Sequence, residues 1–296
     1  MFTLPSGILV GTYRDRGGYL LVTYSGGALR PLPDYAQEFF RDINGLAQYI
    51  AEHGVGPVLE RALDDSQSGA PVATLDEPLP PANPWARQVL GFGRNYPAHG
   101  REMGGGSTAY FMISRESLAG HRGIINVPGW VKKPDYEGEV VLLVGRRLFN
   151  PSSTEARKAI VAFTAGNDVT ARDVQEQGMP WSMAKSIPGF SPVGPLFMIL
   201  DDEKILDDIC IETVLNGEQV QEACLSEMER PVYELLANAT RYFSLAPGDL
   251  VFTGTPSGVG HARSPPRYLS DGDVIEVIVK GVSPLVNYVA RRGSPK

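Results

Sequence analysis

The chain has 296 residues, of which 43% are hydrophobic, a share typical of a globular protein with a substantial core. Its formal net charge is −7 and its basic residues form no run longer than a pair, so binding to nucleic acid or to an anionic membrane is not expected. Two cysteines, Cys210 and Cys224, are too few for a disulfide framework and lack the spacing of a zinc site, which makes a reducing cytoplasm the expected compartment.

The first part of the chain predicts a small α/β unit. Apolar runs at 7–15 and 18–25, followed by a two-glycine turn, are typical of an antiparallel sheet. From residue 34 to about residue 63 the apolar residues recur at helical spacing, which predicts one helix and a second, shorter helical piece. Four prolines within residues 76–85 favour extended, unpaired chain. We therefore expect a small N-terminal α/β domain at 1–82 and a main domain at 83–296.

The main domain contains many short strand-like runs separated by glycine and proline turns. Few helical segments lie between them, and the clearest is amphipathic and spans 231–243. Strands that do not alternate regularly with helices favour a β-rich mixed α/β fold over a doubly wound sheet.

Carboxylates stand at alternate positions where one predicted strand begins, in KPDYEGEVVLLVG, which contains Asp135, Glu137 and Glu139. Side chains two apart on a strand share a face at about 6–7 Å, so these carboxylates would repel one another unless a proton or a cation lay between them. Asp168, at the end of another apolar run, is the best candidate for a third ligand. Such a set suits Mg²⁺, Mn²⁺ or Ca²⁺. The same acids are also compatible with the solvent face of an edge strand.

A second polar group lies in GRNYPAHGREMGGGS, residues 93–107. His99 and Glu102 are three apart and share a face if the segment is helical, so the carboxylate would orient an imidazole suited to general base catalysis. Three glycines follow and would allow the segment to close over a site as a lid. The alternative is a capped surface turn followed by a flexible loop.

Taken in order, these segments resemble the fumarylacetoacetate hydrolase family over roughly residues 83–290. The resemblance is carried by GFGRNYPAHGREMG, DYEGE, AGNDVTARDVQ, WSMAKSIPGFSPVGP, NGEQVQ and LAPGDLVFTGTPSGVG. It implies the family's rolled mixed-sheet catalytic domain, a small variable N-terminal domain and, usually, a homodimer. Its members include acylpyruvases and 2-hydroxyhepta-2,4-diene-1,7-dioate isomerases.

The resemblance also implies which residues bind metal and activate water. Glu137, Glu139 and Asp168 match the ligands of Mg²⁺ or another hard divalent ion. His99 and Glu102 match a lid dyad that activates water.

Further positions match groups around the substrate. Lys185 matches a lysine that stabilises developing negative charge, while Arg172 and Gln175 match polar groups around substrate and water. Thr255 matches a residue that meets a substrate carboxylate or carbonyl. One departure stands out, because Ile113 occupies a place where family members often carry lysine.

These expectations favour a metal-dependent hydrolase that cleaves a C–C bond in a β-diketone acid such as acylpyruvate or fumarylpyruvate, through a metal-bound enolate and a water activated by His99 and Glu102. A tautomerase, isomerase or decarboxylase of an oxaloacetate-like 2-keto or 2-hydroxy-dienoic diacid would use the same groups. A third interpretation is a non-catalytic binding module with a structural Ca²⁺ site, which would have no use for Lys185 and a separate base. The role of residues 1–82 stays open.

Overall fold

The computed structural model describes residues 7–200 and 203–291. Within these ranges the strands are β1 Leu9–Arg14, β2 Tyr19–Ser25, β3 Ala28–Pro31, β4 Val89–Gly93, β5 Ala109–Ile113, β6 Leu118–Ala119, β7 Ile124–Val127, β8 Pro134–Asp135, β9 Gly138–Val144, β10 Ile160–Asn167, β11 Thr170–Ala171, β12 Ser191–Ile199, β13 Cys210–Leu215, β14 Glu218–Cys224, β15 Leu250–Phe252, β16 Val274–Val279 and β17 Leu285–Arg291. The α-helices are α1 Asp34–Phe40, α2 Ile43–His53, α3 Pro57–Gln67, α4 Pro97–Glu102, α5 Ser153–Lys158, α6 Arg172–Glu176, α7 Trp181–Lys185 and α8 Val232–Ala239.

Most strands belong to two mixed sheets. The larger has ten strands, in the order β3-β2-β1-β12-β10-β9-β15-β4-β5, with β6 beside β12. The smaller has five, in the order β14-β13-β16-β17-β7. Most neighbours are antiparallel, but β15 and β4 run parallel, as do β17 and β7. The prediction of a β-rich mixed α/β fold is confirmed.

The central strands of the larger sheet are buried on both faces. Every residue of β9, β10 and β12 is buried, which explains why they read as nearly continuous apolar runs. Along β9, Leu142 belongs to the apolar cluster that includes the smaller sheet and α8, whereas Val141 and Leu143 belong to the cluster that includes α1 and α2. The larger sheet is therefore the middle layer, with one apolar cluster packed on each of its two faces.

The N-terminal helical region is more divided than its spacing predicts. The expected first helix is two helices, because α1 ends at Phe40, Arg41 takes a φ of 67°, and Asp42 starts α2. The Asp42 carboxylate accepts hydrogen bonds from the amides of Asn44 and Gly45 at 2.8 and 3.0 Å, which is an N-cap. A third helix, α3, follows. The expectation of one long helix was wrong because it ignored this cap.

The strands before residue 82 extend the same sheet as those after it. Val10 of β1 pairs antiparallel with Phe197 of β12. The division of the chain at residue 82 stays a prediction.

The smaller sheet brings the two cysteines together. Asn216 and Gly217 form a two-residue turn with φ of 52° and 82°, the conformation that favours a tight hairpin. The turn pairs Val214 with Gln219, and a one-residue register shift then pairs Thr213 with Gln221. Because of this shift Cys210 lies opposite Cys224, and the two form a disulfide. The sequence did not predict the bond, because it depends on strand register. Among the described residues, the helices are all too short or too polar to cross a membrane.

Candidate active site

Three carboxylates meet where two central strands begin and end. The chain leaves its sheet pairing between β8 and β9, and Glu137 lies in that gap, while Asp168 directly follows β10. The amide of Asp168 donates to the carbonyl of Glu137 at 2.8 Å. The Asn167 side chain accepts from the Glu137 amide at 3.0 Å. One oxygen from each of Glu137, Glu139 and Asp168 lies within 4.8 Å of the others.

These carboxylates are buried, and two of their oxygens lack a hydrogen-bond partner. Glu139 Oε2 accepts from the Gly254 amide at 2.7 Å. Glu139 Oε1 and Asp168 Oδ1 have no donor within the described part of the chain. A buried acceptor left in this condition costs about 1–3 kcal/mol, and a cation between the oxygens would remove that cost.

A buried lysine lies against the same group. Lys185, only 1% exposed, places Nζ 2.6 Å from Glu137 Oε2 and 2.5 Å from Asp168 Oδ2. It also donates to Thr170 Oγ1 at 2.9 Å. Lys185 is the last residue of α7, so this short helix fixes the ammonium group relative to the carboxylates.

Asp135, the first acid of the alternating series, contacts an arginine and backbone amides and is not a member of the carboxylate triad. Its carboxylate accepts from Arg172 Nε at 2.8 Å and from the amides of Gly260 and His261 at 2.8 and 3.1 Å. Arg172 Nη2 then lies 2.6 Å from Glu137 Oε1. Asp135 is therefore fully paired and outside the carboxylate triad, where it orients Arg172.

The charges of this buried cluster do not balance. Its four carboxyl groups, those of Asp135, Glu137, Glu139 and Asp168, face two cations, Lys185 and Arg172. With all four carboxyl groups ionised, two negative charges are left without a partner, and one divalent cation would balance them. All available donors are oxygens, as Mg²⁺ and Mn²⁺ prefer, so the residues fit such an ion.

The pKa values separate the three ligands. Although burial opposes its ionisation, the charges of Lys185 and Arg172 hold the pKa of Glu137 at about 2. Burial raises the pKa of Asp168 to about 6. Burial and the nearby Asp168 raise the pKa of Glu139 well above its ordinary value. Without a cation, Glu139 and Asp168 therefore hold their protons to a higher pH than free carboxyl groups do, and a metal ion would displace those protons.

A histidine and a glutamate form a pair on α4. Pro97 begins this helix, and His99 and Glu102 are three positions apart, so both lie on one face. His99 Nδ1 lies 2.8 Å from Glu102 Oε1, and Glu102 Oε2 accepts from the Gly258 amide at 3.0 Å. Because the carboxylate engages Nδ1, the Nε2 atom of the buried imidazole is available for a proton from water or substrate.

One cavity of about 180 Å³ joins these groups. It is lined by six of the residues expected from the sequence, namely His99, Glu137, Arg172, Gln175, Lys185 and Thr255. Glu139 and Asp168 do not line the cavity, but each has an oxygen within 4.8 Å of an oxygen of Glu137, which does. Glu102 does not line it either and reaches the site through its contact with His99. The remaining lining residues are Phe92, Gly93, Arg94, Met103, Glu176, Trp181 and His261.

Comparison with known proteins places this arrangement in a family. The fumarylacetoacetate (FAA) hydrolase C-terminal family model matches residues 88–290. The chain belongs to the fumarylacetoacetate hydrolase family. A relative in this family, protein Rv2993c of Mycobacterium tuberculosis, is 34% identical over 215 residues, which is 71% of this chain and 78% of the relative.

Solved structures similar to this chain include enzymes of the family with different activities. A fumarylacetoacetate hydrolase from Exiguobacterium antarcticum has a TM-score of 0.78 at 26% identity, covering 96% of this chain and 100% of its own. A 2-hydroxyhepta-2,4-diene-1,7-dioate isomerase from Mycobacterium marinum has a TM-score of 0.72 at 26% identity, covering 97% and 100%. A fumarylpyruvate hydrolase from Pseudomonas aeruginosa, solved with Mn²⁺ and pyruvate, has a TM-score of 0.62 at 27% identity, covering 70% and 91%.

The departure from the family pattern at Ile113 leaves no cation in its place. Ile113 is buried, and the nearby Arg115 is exposed and lies 3.3 Å from Glu116. Neither lines the cavity. Arg115 therefore does not bring a positive charge to the cavity wall in place of that lysine.

Sequence reasoning also gave no role to Gln221 of β14. This buried side chain accepts from the Gly138 amide at 3.0 Å and donates to Thr255 Oγ1 at 2.8 Å. Thr255 Oγ1 in turn donates to the Gly138 carbonyl at 3.0 Å. Gln221 thereby fixes the Thr255 hydroxyl, and its only signal in the sequence was its place in the NGEQVQ segment that carries the family resemblance.

Metal binding should weaken as the pH falls. The raised pKa values of Glu139 and Asp168 mean that the metal-free folded protein holds protons that the unfolded chain, with carboxyl pKa values of about 4, has lost. This contribution destabilises the metal-free protein as the pH rises through about 6, and bound metal removes it. We expect the rise in melting temperature caused by Mn²⁺ to grow between about pH 5 and pH 7.5. A rise that stays constant over this range, measured against chelator-treated protein, would contradict the assignment.

Proposed function

We propose that this member of the fumarylacetoacetate hydrolase family is a divalent-metal-dependent hydrolase that cleaves a C–C bond in a β-diketone acid of the acylpyruvate or fumarylpyruvate type. One observation carries the proposal: Glu137, a member of a buried carboxylate triad suited to a divalent cation, lines the same cavity as the buried His99, which Glu102 orients. The same proposal includes a homodimer, which the family resemblance implies, and a cytoplasmic location, which the sequence analysis expected from the cysteine content.

Glu137, Glu139 and Asp168 would hold Mg²⁺ or Mn²⁺. When bound, such an ion supplies a Lewis acid that favours negative charge on the oxygens of a keto acid. Lys185 Nζ, held against two of these carboxylates, adds a second positive charge beside the same oxygens. A fumarylpyruvate hydrolase of the family has been solved with Mn²⁺ and pyruvate, which supports the choice of ion and ligand class.

Polar groups on the cavity wall would orient the substrate. Arg172 Nη1 donates to Gln175 Oε1 at 3.0 Å, so both side chains are fixed where they face the cavity. Thr255 also lines the cavity, and its hydroxyl, which accepts from Gln221, would donate to a substrate carboxylate or carbonyl only by giving up its bond to the Gly138 carbonyl. Preset donors of this kind lower the cost of holding the reacting atoms in place.

His99 would act as the general base. Its Nε2 takes a proton from water, and the resulting hydroxide adds to the distal carbonyl carbon of the substrate. The C–C bond between that carbon and the neighbouring methylene carbon then breaks, and its electron pair stays with the methylene carbon. Return of the proton from His99 gives pyruvate and a carboxylic acid. Glu102 stabilises the imidazolium between the two proton transfers.

Isomerisation of a 2-hydroxy-dienoic diacid is the second candidate. The isomerase from M. marinum matches nearly the whole chain, and a base in the position of His99 can move a proton between two carbons without adding water. Decarboxylation or tautomerisation of an oxaloacetate-like acid would need the same stabilised negative charge.

Turnover of a small substrate panel tests these alternatives. Acetylpyruvate, fumarylpyruvate and oxaloacetate are each incubated with Mg²⁺ or Mn²⁺ and, separately, with chelator. We expect metal-dependent loss of the diketone absorbance and release of pyruvate, reduced about 10²-fold or more by Glu137→Ala. The control Glu116→Ala removes an exposed carboxylate and should leave the rate unchanged.

Each outcome of the panel selects one function. Cleavage of the diketones with release of pyruvate supports the hydrolase. Reaction of oxaloacetate alone replaces it with the decarboxylase or tautomerase. Diketone cleavage that continues at full rate in Glu137→Ala would refute the carboxylate triad as the working site.

A further inference from the structure

Arg94 is a cation of the cavity that has no anionic partner. The charged lining residues include Arg172 and Lys185, which contact the buried carboxylates, and Glu176, which lies 2.6 Å from Lys133. Arg94 forms no ion pair or hydrogen bond through its side chain within residues 7–200 and 203–291. A half-buried guanidinium without an acceptor is unfavourable unless a ligand supplies one.

Its position is nevertheless held by the surrounding chain. The Arg94 backbone has a φ of 58°, a conformation that costs a non-glycine residue about 1 kcal/mol or more. The next residue fixes it, because Asn95 Nδ2 donates to the carbonyl of Arg230 at 2.8 Å and Asn95 accepts from the Arg230 amide at 3.2 Å. Strain that neighbouring bonds maintain at a cavity wall is typical of functional positions.

The guanidinium itself lies between an aromatic ring and a glycine. Arg94 Cζ is 5.2 Å from the centre of the Trp181 ring, within range of a cation–π contact. On Gly106 of the lid glycines, a Cβ atom would overlap Arg94 Nη1. A side chain at 106 would therefore require the guanidinium to shift from this position.

Trp181 also relates Arg94 to the buried carboxylates. Trp181 is the first residue of α7 and Lys185 the last, so one helical turn, about 6 Å along the axis, separates them. One end of a bound keto acid would meet Lys185 and Arg172, whose charges are already used by carboxylates. The other end would meet the unpaired Arg94.

We propose that Arg94 binds the distal carboxylate of the substrate, so that the enzyme acts on dicarboxylic keto acids and not on acylpyruvates with an apolar tail. This inference rests on the proposed function, because it places the keto acid in the same cavity. Arg94 is a specificity-determining residue in this scheme, since an uncharged tail would leave its guanidinium unpaired.

Binding of two matched acids tests the assignment without turnover. Isothermal titration measures 2-oxoheptanedioate and 2-oxoheptanoate, which differ only in the distal carboxylate, against the Mn²⁺-loaded protein. We expect the wild-type chain to prefer the diacid. Arg94→Gln should reduce this preference about 10- to 100-fold, the loss expected for a hydrogen bond to a charged group, and leave the affinity for the monoacid unchanged.

Three further variants separate position from charge. Arg94→Lys should retain part of the preference. Gly106→Ala keeps the arginine but displaces it, so it should reduce the preference in the same direction as Arg94→Gln. Arg101→Gln removes an exposed positive charge from α4 and should leave the preference intact.

The outcomes distinguish this inference from the proposed function. An unchanged preference in a folded Arg94→Gln protein, or equal binding of both acids by the wild-type chain, overturns the role of Arg94 alone. If Mn²⁺ binds but neither acid does, the keto-acid site itself is refuted, and the role of Arg94 is refuted with it.

Discussion

Replacing Lys185 with methionine is expected to lower both the stability and the activity of the protein. The substitution removes the ammonium group from between Glu137 and Asp168 and leaves two buried carboxylates without it. Breaking a buried ion pair in this way costs about 3–5 kcal/mol. Because the same charge lies beside the proposed substrate oxygens, kcat should fall about 10²-fold or more. Urea denaturation of chelator-treated protein and steady-state kinetics with Mn²⁺ measure the two effects.

A second lysine of the chain provides the matched control. Lys133 also contacts a carboxylate, Glu176, at 2.6 Å, but its side chain is 37% exposed. Lys133→Met should therefore leave the free energy of unfolding nearly unchanged, because water screens an exposed ion pair. If Lys185→Met unfolds at the same urea concentration as Lys133→Met, the buried charge cluster does not have the energetic role described above.

Replacing His99 with alanine is expected to abolish most of the activity while the fold survives. Loss of a general base lowers kcat about 10²- to 10⁴-fold. Glu102→Gln should lower it as well, and the double variant should be little worse than His99→Ala, because the two side chains act as one unit. Steady-state kinetics at a single pH with saturating Mn²⁺ measure the rates of the three variants against the wild-type protein.

The cavity contains a second imidazole that serves as the control. His261 lies at the cavity wall with Nδ1 2.8 Å from the Tyr268 hydroxyl and has no carboxylate partner. His261→Ala should therefore keep most of the activity at the same pH and Mn²⁺ concentration. If kcat falls about 10²-fold or more in His261→Ala and stays near the wild-type value in His99→Ala, the base has been assigned to the wrong histidine.

Much of the candidate site could be predicted because its residues follow local rules. Glu137 and Glu139 were placed together by the two-residue period of a strand. Asp168 was found because it ends an apolar run. His99 and Glu102 were paired by helical spacing, and the structure gives that spacing as one turn of α4.

The residues whose roles sequence reasoning missed are those that depend on contacts between distant parts of the chain. Asp135 fits the alternation but pairs with Arg172, because the chain leaves the sheet between β8 and β9. Gln221 reaches Thr255 only through the register of the β13–β14 hairpin, which also joins the cysteines. The proposed role of Arg94 depends on its contact with Trp181, which lies 87 positions later in the chain. These contacts join residues on separate elements of the fold, so no periodicity or local spacing in the sequence predicts them.

The pairing of β1 with β12 means that the N-terminal strands cover a strand that would otherwise be an edge of the larger sheet. Every residue of β12 is buried, and around Phe197 and Met198 its outer backbone groups are covered by β1. A chain lacking these strands would present an apolar, unpaired sheet edge, the kind of surface on which other chains assemble into aggregates.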